Sequence, residues 1–315
     1  MGQRIGEVVS AAGTLDDSRI VKREILYTGM NGRHVERFYL SPTESYVFKP
    51  VTHSGQRGRE AWVYDQVLGS LPPIYPRMLA RSGESAPENG SWVIYEDLGR
   101  LQHTFREEIV LQVVEEMARW HASPVERWNE APMRGPKPPI EEIAGGLLRS
   151  SDTLAELLPS PGAAGMLQEL LRRLESHTWS GRRVLSHGDL HLGNYAPLNG
   201  RVVVLDWEHA HLNVPCWDLY HLVDLSHPVF PKTVTEALRE RLLDTYLDCS
   251  GERSELGRSA FKQEYYLFSA AFSLWMLGLI AGDLRRQSGP WDVSELESQR
   301  EETLENFIQC ARHIA

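Results

Sequence analysis

Ser186-His187-Gly188-Asp189-Leu190-His191-Leu192-Gly193-Asn194, followed a few residues later by Val202-Val203-Val204-Leu205-Asp206-Trp207-Glu208, is the densest run of reactive side chains in the chain. β-Rich segments at Arg183–Ser186 and Arg201–Leu205 flank a polar loop, so both read as short strands with chemistry at their ends. A carboxylate just past a strand is held rigidly with its oxygens free, and Asp189 and Asp206 both stand there. Asn194 adds a neutral oxygen in the same loop. Hard oxygen ligands of mixed charge suit Mg²⁺, which keeps several waters and completes its shell with phosphates. With Asn194 and Asp206 on the metal, Asp189 is left to accept a proton from an attacking hydroxyl.

That division of labour is the one a kinase uses, and it predicts further parts upstream. A lysine should end a strand, and Lys49 does so in Tyr46-Val47-Phe48-Lys49-Pro50. A glutamate on the next helix should hold that lysine extended, and Glu60 opens the helical spacing of Arg59–Leu68. Short strands at Ile25–Thr28, Val35–Leu40 and Ser45–Phe48 precede it, with Gly29-Met30-Asn31-Gly32 as the covering loop. This loop is not GxGxxG, and Gly29, Asn31 and Gly32 are its candidate phosphate-side residues. Trp92–Tyr95 is another strand, and Glu96-Asp97-Leu98-Gly99 reads as a turn or hinge.

Beyond residue 100 the spacing turns helical, with helices predicted near 105–122, 140–158, 163–177, 232–248, 254–282 and 293–313. Proline and glycine breaks fall at 131–139, 159–162 and 287–291. The expected architecture is α+β: a small N-terminal lobe of antiparallel sheet (1–98) and a larger, mainly helical lobe (99–315). A ligand site is expected in the cleft between such lobes. The uncharged run Tyr265–Gly282 reaches the lower limit for crossing a bilayer, but its serines, tyrosines and glycines read as a buried core helix.

The 315 residues are 42% hydrophobic and 24% charged, which argues against disorder and fibrous architectures. A net charge of −10 lacks the basic footprint of a nucleic-acid or polybasic membrane binder. Cys216, Cys249 and Cys310 are few, widely spaced and without CxxC, so a disulfide framework is not expected and a cytoplasmic setting is. Oligomeric state is not legible.

HGDLHLGN (187–194) followed by LDWE (205–208) resembles the aminoglycoside phosphotransferase and choline kinase-like small-molecule kinases, which have a bilobed protein-kinase-like fold. Lys49, Glu60, Trp92–Leu98, Met117-Ala118-Arg119-Trp120-His121-Ala122 and Trp217-Asp218-Leu219 carry the resemblance further, over roughly residues 25–225. It implies ATP- or GTP-dependent, Mg²⁺-assisted phosphorylation of a hydroxyl on a small molecule such as an amino sugar, antibiotic, or choline- or thiamine-like alcohol. It implies that Asp189 is the catalytic base or the group that orients the hydroxyl, Asn194 and Asp206 the magnesium ligands, and Lys49 the phosphate-binding lysine with Glu60 as its partner. His187 and Asp218 would shape the catalytic loop, and the backbone around Glu96, Asp97 and Leu98 would receive the adenine. Trp207-Glu208 is closer to the choline and thiamine kinase branch than to the aminoglycoside enzymes. Glu208, His211, Trp275 and Asp283 are the candidates for the acceptor site. His121, His209 and His221 read as structural histidines.

Two other readings compete. In an extended segment His187, Asp189 and His191 would alternate onto one face and imitate a zinc hydrolase. A non-catalytic, coat-type binding protein on a kinase fold would keep the architecture, but such proteins tend to lose a phosphate- or metal-handling group, and here all are present.

Overall fold

The computed structural model describes residues 5–29, 31–52, 58–83, 85–128, 133, 135–158, 161–286, 289 and 291–314. Met30 of the covering loop, most of the break at 131–134, Pro159 and Ser160, and most of 287–290 lie outside them. The first elements are β1 (Lys22–Thr28), β2 (His34–Ser41), β3 (Glu44–Pro50), α1 (Arg59–Gln66), β4 (Met78–Arg81) and β5 (Trp92–Glu96). Then come α2 (Glu107–His121), α3 (Ile140–Arg149), α4 (Ser151–Ala155), α5 (Pro161–Ser176), β6 (Val184–Ser186), β7 (Tyr195–Leu198), β8 (Arg201–Val204) and β9 (His211–Asn213). The chain ends with α6 (Cys216–Val223), α7 (Glu236–Ser250), α8 (Glu255–Arg286) and α9 (Val293–Arg312). Two compact units form: Met1–Gln102 with Pro197–Glu208, and His103–Ala196 with His209–Ala315.

The first unit is built on an antiparallel sheet ordered β1-β2-β3-β5-β4. Phe48 lies opposite Glu36 on one side and Ile94 on the other, and Phe38, Phe48 and Ile94 pack with Val8 and Leu15 into a core. Side chains alternate faces along a strand, so Lys49, next to Phe48, points away from that core. The β1–β2 turn closes through Gly29 N–H to the Arg33 carbonyl (2.8 Å), with Gly32 at φ +77°. A Cβ at Gly29 would stand 2.7 Å from that of Thr52, so glycine lets the turn lie against the chain leaving β3. The expected strands and the first helix are all present. β4 was not foreseen, because Met78-Leu79-Ala80-Arg81 has no alternation; its pairing with β5 makes it a strand.

In the second unit α2 buries Val110, Val113, Val114, Met117, Trp120 and His121. These positions recur at helical spacing, and α2 packs on α7, β6 and α6. The predicted helix 140–158 is divided: Ser150 leaves helical geometry (φ −115°, ψ 20°) and separates α3 from α4. Every side chain of α6 is buried, so it shows no amphipathic period and the sequence did not reveal it. β6 pairs with β9, setting Ser186 opposite His211. Among the described residues one helix, α8, is long and apolar enough to cross a membrane; 61% of its apolar window is buried inside the protein, against neighbours that include α9 and α3. An all-round apolar helix of that kind is a core helix.

Candidate active site

Lys49 is nearly buried, and its ammonium lies 3.0 Å from Glu60 Oε1, 2.5 Å from Asp206 Oδ1 and 3.5 Å from Glu208 Oε2. The Tyr95 hydroxyl donates to the same Glu60 oxygen (2.8 Å), fixing the glutamate. Burial works to discharge the ammonium, but Asp206, Glu208 and Glu60 outweigh it and hold the Lys49 pKa well above its usual value. Burial, with Glu208 and Asp206 as like charges, pushes Glu60 up to about 7 despite Lys49. Three carboxylates surround this one ammonium, and the Arg59 guanidinium adds a second cation beside Glu208. Asp206 sits at φ +60°, a left-handed conformation that aspartate tolerates better than most residues and that tends to gather at functional sites. Its side chain is 34% exposed, so carboxylate surface remains outside the lysine contact.

Asp189 follows β6 through Gly188 at φ +92°, where a Cβ would collide with the His209 carbonyl oxygen at 2.1 Å. Only glycine fits there. The loop is tied down by Asp218, which is fully buried on α6. Its carboxylate accepts from Ser186 Oγ (2.6 Å), His187 N (2.8 Å), Gly188 N (3.2 Å), Trp120 Nε1 (3.3 Å) and His121 Nε2 (3.1 Å). Burial opposes the charge, yet these donors, His121 first, hold the Asp218 pKa well below the usual carboxylate range. His187 is also buried and receives the Asp189 N–H on Nδ1 (3.3 Å). Asn194 Nδ2 donates to the Asp189 carbonyl (2.7 Å), which orients the amide and leaves its oxygen as an acceptor.

Around the Asp189 carboxylate the structure assembles an ammonium and imidazoles. Lys137, just before α3, puts its ammonium 3.1 Å from Asp189 Oδ1 and 3.1 Å from His221 Nε2. His191 Nε2 is 3.7 Å from Oδ2. Burial opposes ionisation, but Lys137, His191, His221 and His209 hold the Asp189 pKa far below its ordinary value. His221 Nδ1 donates to the Trp217 carbonyl (2.8 Å), so its Nε2 is the acceptor for Lys137. Burial, then Lys137, pushes His221 down to about 3, keeping it neutral. Neither Lys137 nor a role for His221 was read from the sequence. A lysine in a proline-rich loop, 52 positions from its partner, leaves no local signal.

Lys137, Asp189 and His191 line a cavity of about 220 Å³ with His227, Trp291 and a stripe of α8: Met276, Leu279, Ile280 and Asp283. Of the four acceptor candidates, Asp283 lines this cavity. Trp275 is rotated off the stripe by one helical position and packs edge-on against Phe272 (5.2 Å). His211 is buried, with Nδ1 on the His209 carbonyl (2.8 Å) and Nε2 on Asn213 (2.8 Å), and supports β9. Glu208 is buried beside Lys49, and its carbonyl accepts from Arg59 Nε (2.5 Å).

At the expected hinge, Asp97 accepts from Arg37 Nε (2.7 Å), Ser45 Oγ (2.6 Å) and Gly99 N (2.9 Å). Glu96 ends β5 and its carboxylate takes the Arg77 N–H (2.8 Å), so the segment entering Leu98 is anchored on both sides. Asn31 ties the β1–β2 turn to the chain after β3 through Nδ2 to the Val51 carbonyl (2.9 Å). The zinc arrangement does not form: Gly188 breaks the extended alternation it required. Among the described residues no group of three or more His, Cys, Asp or Glu side chains makes a metal-holding set. An amide oxygen on Asn194 and a partly exposed carboxylate on Asp206 are the donor types Mg²⁺ accepts while it keeps waters and phosphate oxygens.

No curated protein matches the chain. Among solved structures it is similar to the GDP complex of aminoglycoside 2'-phosphotransferase-IIIa (17% identity, covering 92% of this chain and 95% of that one, TM-score 0.62). It is similar to a macrolide 2'-phosphotransferase from Brachybacterium faecium (15% identity, 92% and 93%, TM-score 0.57). A choline/ethanolamine kinase family protein from Mesorhizobium loti is also similar (14% identity, 95% and 94%, TM-score 0.61). At these identities the likeness shows the fold, which is protein-kinase-like and α+β. The model of the phosphotransferase enzyme family matches residues 70–257, more than half of the chain. The chain therefore belongs to the phosphotransferase enzyme family.

Proposed function

We propose that the protein transfers the γ-phosphoryl group of ATP or GTP, with Mg²⁺, to a hydroxyl on a small molecule. The observation that carries this reading is the buried Lys49 ammonium, 3.0 Å from Glu60 and 2.5 Å from Asp206. A lysine kept charged and extended in this way suits the phosphates of a nucleotide. Asn194 and Asp206 would hold Mg²⁺, which when bound neutralises phosphate charge. The Glu96–Leu98 backbone would take the purine. The GDP held by an aminoglycoside phosphotransferase of this fold is the reason to keep GTP beside ATP.

In the reaction the acceptor hydroxyl oxygen bonds to the γ-phosphorus as the bond to the β-phosphate oxygen breaks, and the hydroxyl proton passes to Asp189. Lys137, 3.1 Å from Oδ1, keeps the carboxylate ionised and able to accept the hydroxyl's hydrogen bond. Little covalent chemistry is asked of the protein, so positioning and electrostatics provide most of the acceleration. Amino sugars, antibiotics, and choline- or thiamine-like alcohols are the acceptor classes to test, and similar structures include enzymes named for aminoglycosides, macrolides and choline. The cavity volume corresponds to about seven waters at ~30 Å³ each, enough for a small alcohol or one ring of a larger one. The free thiols of Cys216, Cys249 and Cys310 accord with a cytoplasmic setting.

The test is a nucleotide-consumption screen with ATP and GTP against hydroxylated metabolites and antibiotics, followed by mass detection of a product one phosphoryl group heavier. Consumption without such a product from any alcohol overturns the acceptor assignment. No consumption at all, with or without Mg²⁺, overturns the reading.

A further inference from the structure

We infer that Lys137 is a positioning residue for the reaction: it clamps one oxygen of Asp189 and so presents the other to the acceptor hydroxyl. This rests on the reading of Asp189 as the group that receives the hydroxyl proton. The geometry divides the two carboxylate oxygens. Oδ1 is 3.1 Å from the Lys137 ammonium, whereas Oδ2 faces His191 at the longer 3.7 Å, and the residue lines the cavity.

The lysine is itself held. His221 offers it a lone pair at Nε2 (3.1 Å), because Nδ1–H is engaged by the Trp217 carbonyl (2.8 Å). Trp217 in turn donates from Nε1 to the Gly188 carbonyl (3.0 Å), so the support for the lysine ends on the residue next to Asp189. The ring of Trp217 stacks on that of His221 at 5.1 Å, which fixes the imidazole plane. A compact ammonium between a carboxylate oxygen and an imidazole nitrogen, with a side chain 20% exposed, is well defined without being sealed off. An arginine fork would not reproduce both contacts. A solvated surface lysine would need neither the histidine nor the tryptophan behind it.

An orienting residue that acts through Asp189 should lose its effect when Asp189 can no longer accept a proton. The experiment is a double-mutant cycle on nucleotide turnover, with the best alcohol from the screen or with water alone as acceptor. Lys137→Met should lower kcat by up to about 10²-fold, the cost of misplacing a reacting group by about an ångström, and leave the nucleotide KM within about twofold. Lys137→Arg should recover part of that loss. In an Asp189→Asn background, Lys137→Met should change little further.

A double mutant that falls below Asp189→Asn by the full Lys137→Met factor would mean a general structural role and overturn the inference. So would Lys137→Met with wild-type turnover. Faster turnover would show that the lysine obstructs the carboxylate, which is equally fatal. Asp189→Asn with wild-type turnover would instead refute the base assignment beneath the inference, and a wild-type protein that consumes no nucleotide removes both. Thermal melts of each variant separate loss of fold from loss of orientation, and Lys137→Gln repeats the cycle if the methionine variant does not fold.

Discussion

Around Lys49 a single buried ammonium is ringed by carboxylates; around Asp189 a single carboxylate is ringed by an ammonium and imidazoles. The first arrangement, in the unit of the antiparallel sheet, keeps a cation charged where burial alone would discharge it. The second, in the helical unit, keeps an anion charged, and under the proposed function that anion receives the hydroxyl proton. Each centre depends on partners of the other sign because an isolated buried charge is costly. The contrast suggests that the two centres respond differently to mutation: the Lys49 centre through nucleotide handling, the Asp189 centre through turnover.

The largest effect that would test this contrast is at Asp189. Asp189→Asn should lower kcat by a factor on the order of 10²–10⁴ while nucleotide affinity, measured by calorimetry, stays nearly unchanged. A variant that loses nucleotide binding as well would erase the distinction between the centres. Next comes Asp218→Ala, which removes the acceptor shared by Ser186, His187, Gly188, Trp120 and His121. Stranding several buried donors at ~1–3 kcal/mol each should cost at least ~4 kcal/mol by denaturant unfolding. A loss under ~1 kcal/mol would mean that the loop does not rely on this carboxylate.

Lys49→Met should act in the other sense, lowering kcat/KM for the nucleotide by roughly 10²-fold, the scale seen when one charge-stabilising donor is removed. An effect confined to the acceptor KM would contradict the assignment. The smallest expected effect is the pH dependence from His221. Its folded pKa is pushed down to about 3, while an unfolded histidine titrates near 6.5. Between those values the unfolded chain binds the proton that the folded chain refuses, so this residue's contribution to stability is full above about 6.5 and declines as pH falls toward 3. His221→Gln should flatten part of that decline in the melting temperature. His227, also pushed down to about 3, keeps the rest. An unchanged slope would show that His221 is not buried in the neutral form.

Much of this was legible beforehand, for a reason that differs from residue to residue. Lys49 was readable because a strand ending in lysine before a helix that opens with glutamate is a local pattern, and the two side chains meet as expected. The loop after β6 was readable because Gly188 admits only glycine and Asp189 and Asn194 are held within it. Glu208, expected at the acceptor site, lies buried beside Lys49. Its position after Asp206 says where its backbone runs, but only the packed structure shows it beside Lys49. Trp275 lies off the cavity stripe, and in an apolar helix of 32 residues the sequence does not say which stripe faces a cavity.

Local periodicity, turn chemistry and the order of a few charged residues determined, without coordinates, the fold class and which side chains could carry a reaction. Tertiary structure alone decided which charge neutralises which. Lys49 meets Asp206 across 157 positions, and Lys137 meets Asp189 across 52. Such pairs are specified by how the chain closes on itself, and a charge is readable in sequence only as a sign. The partner that makes its burial tolerable is a property of the packed chain.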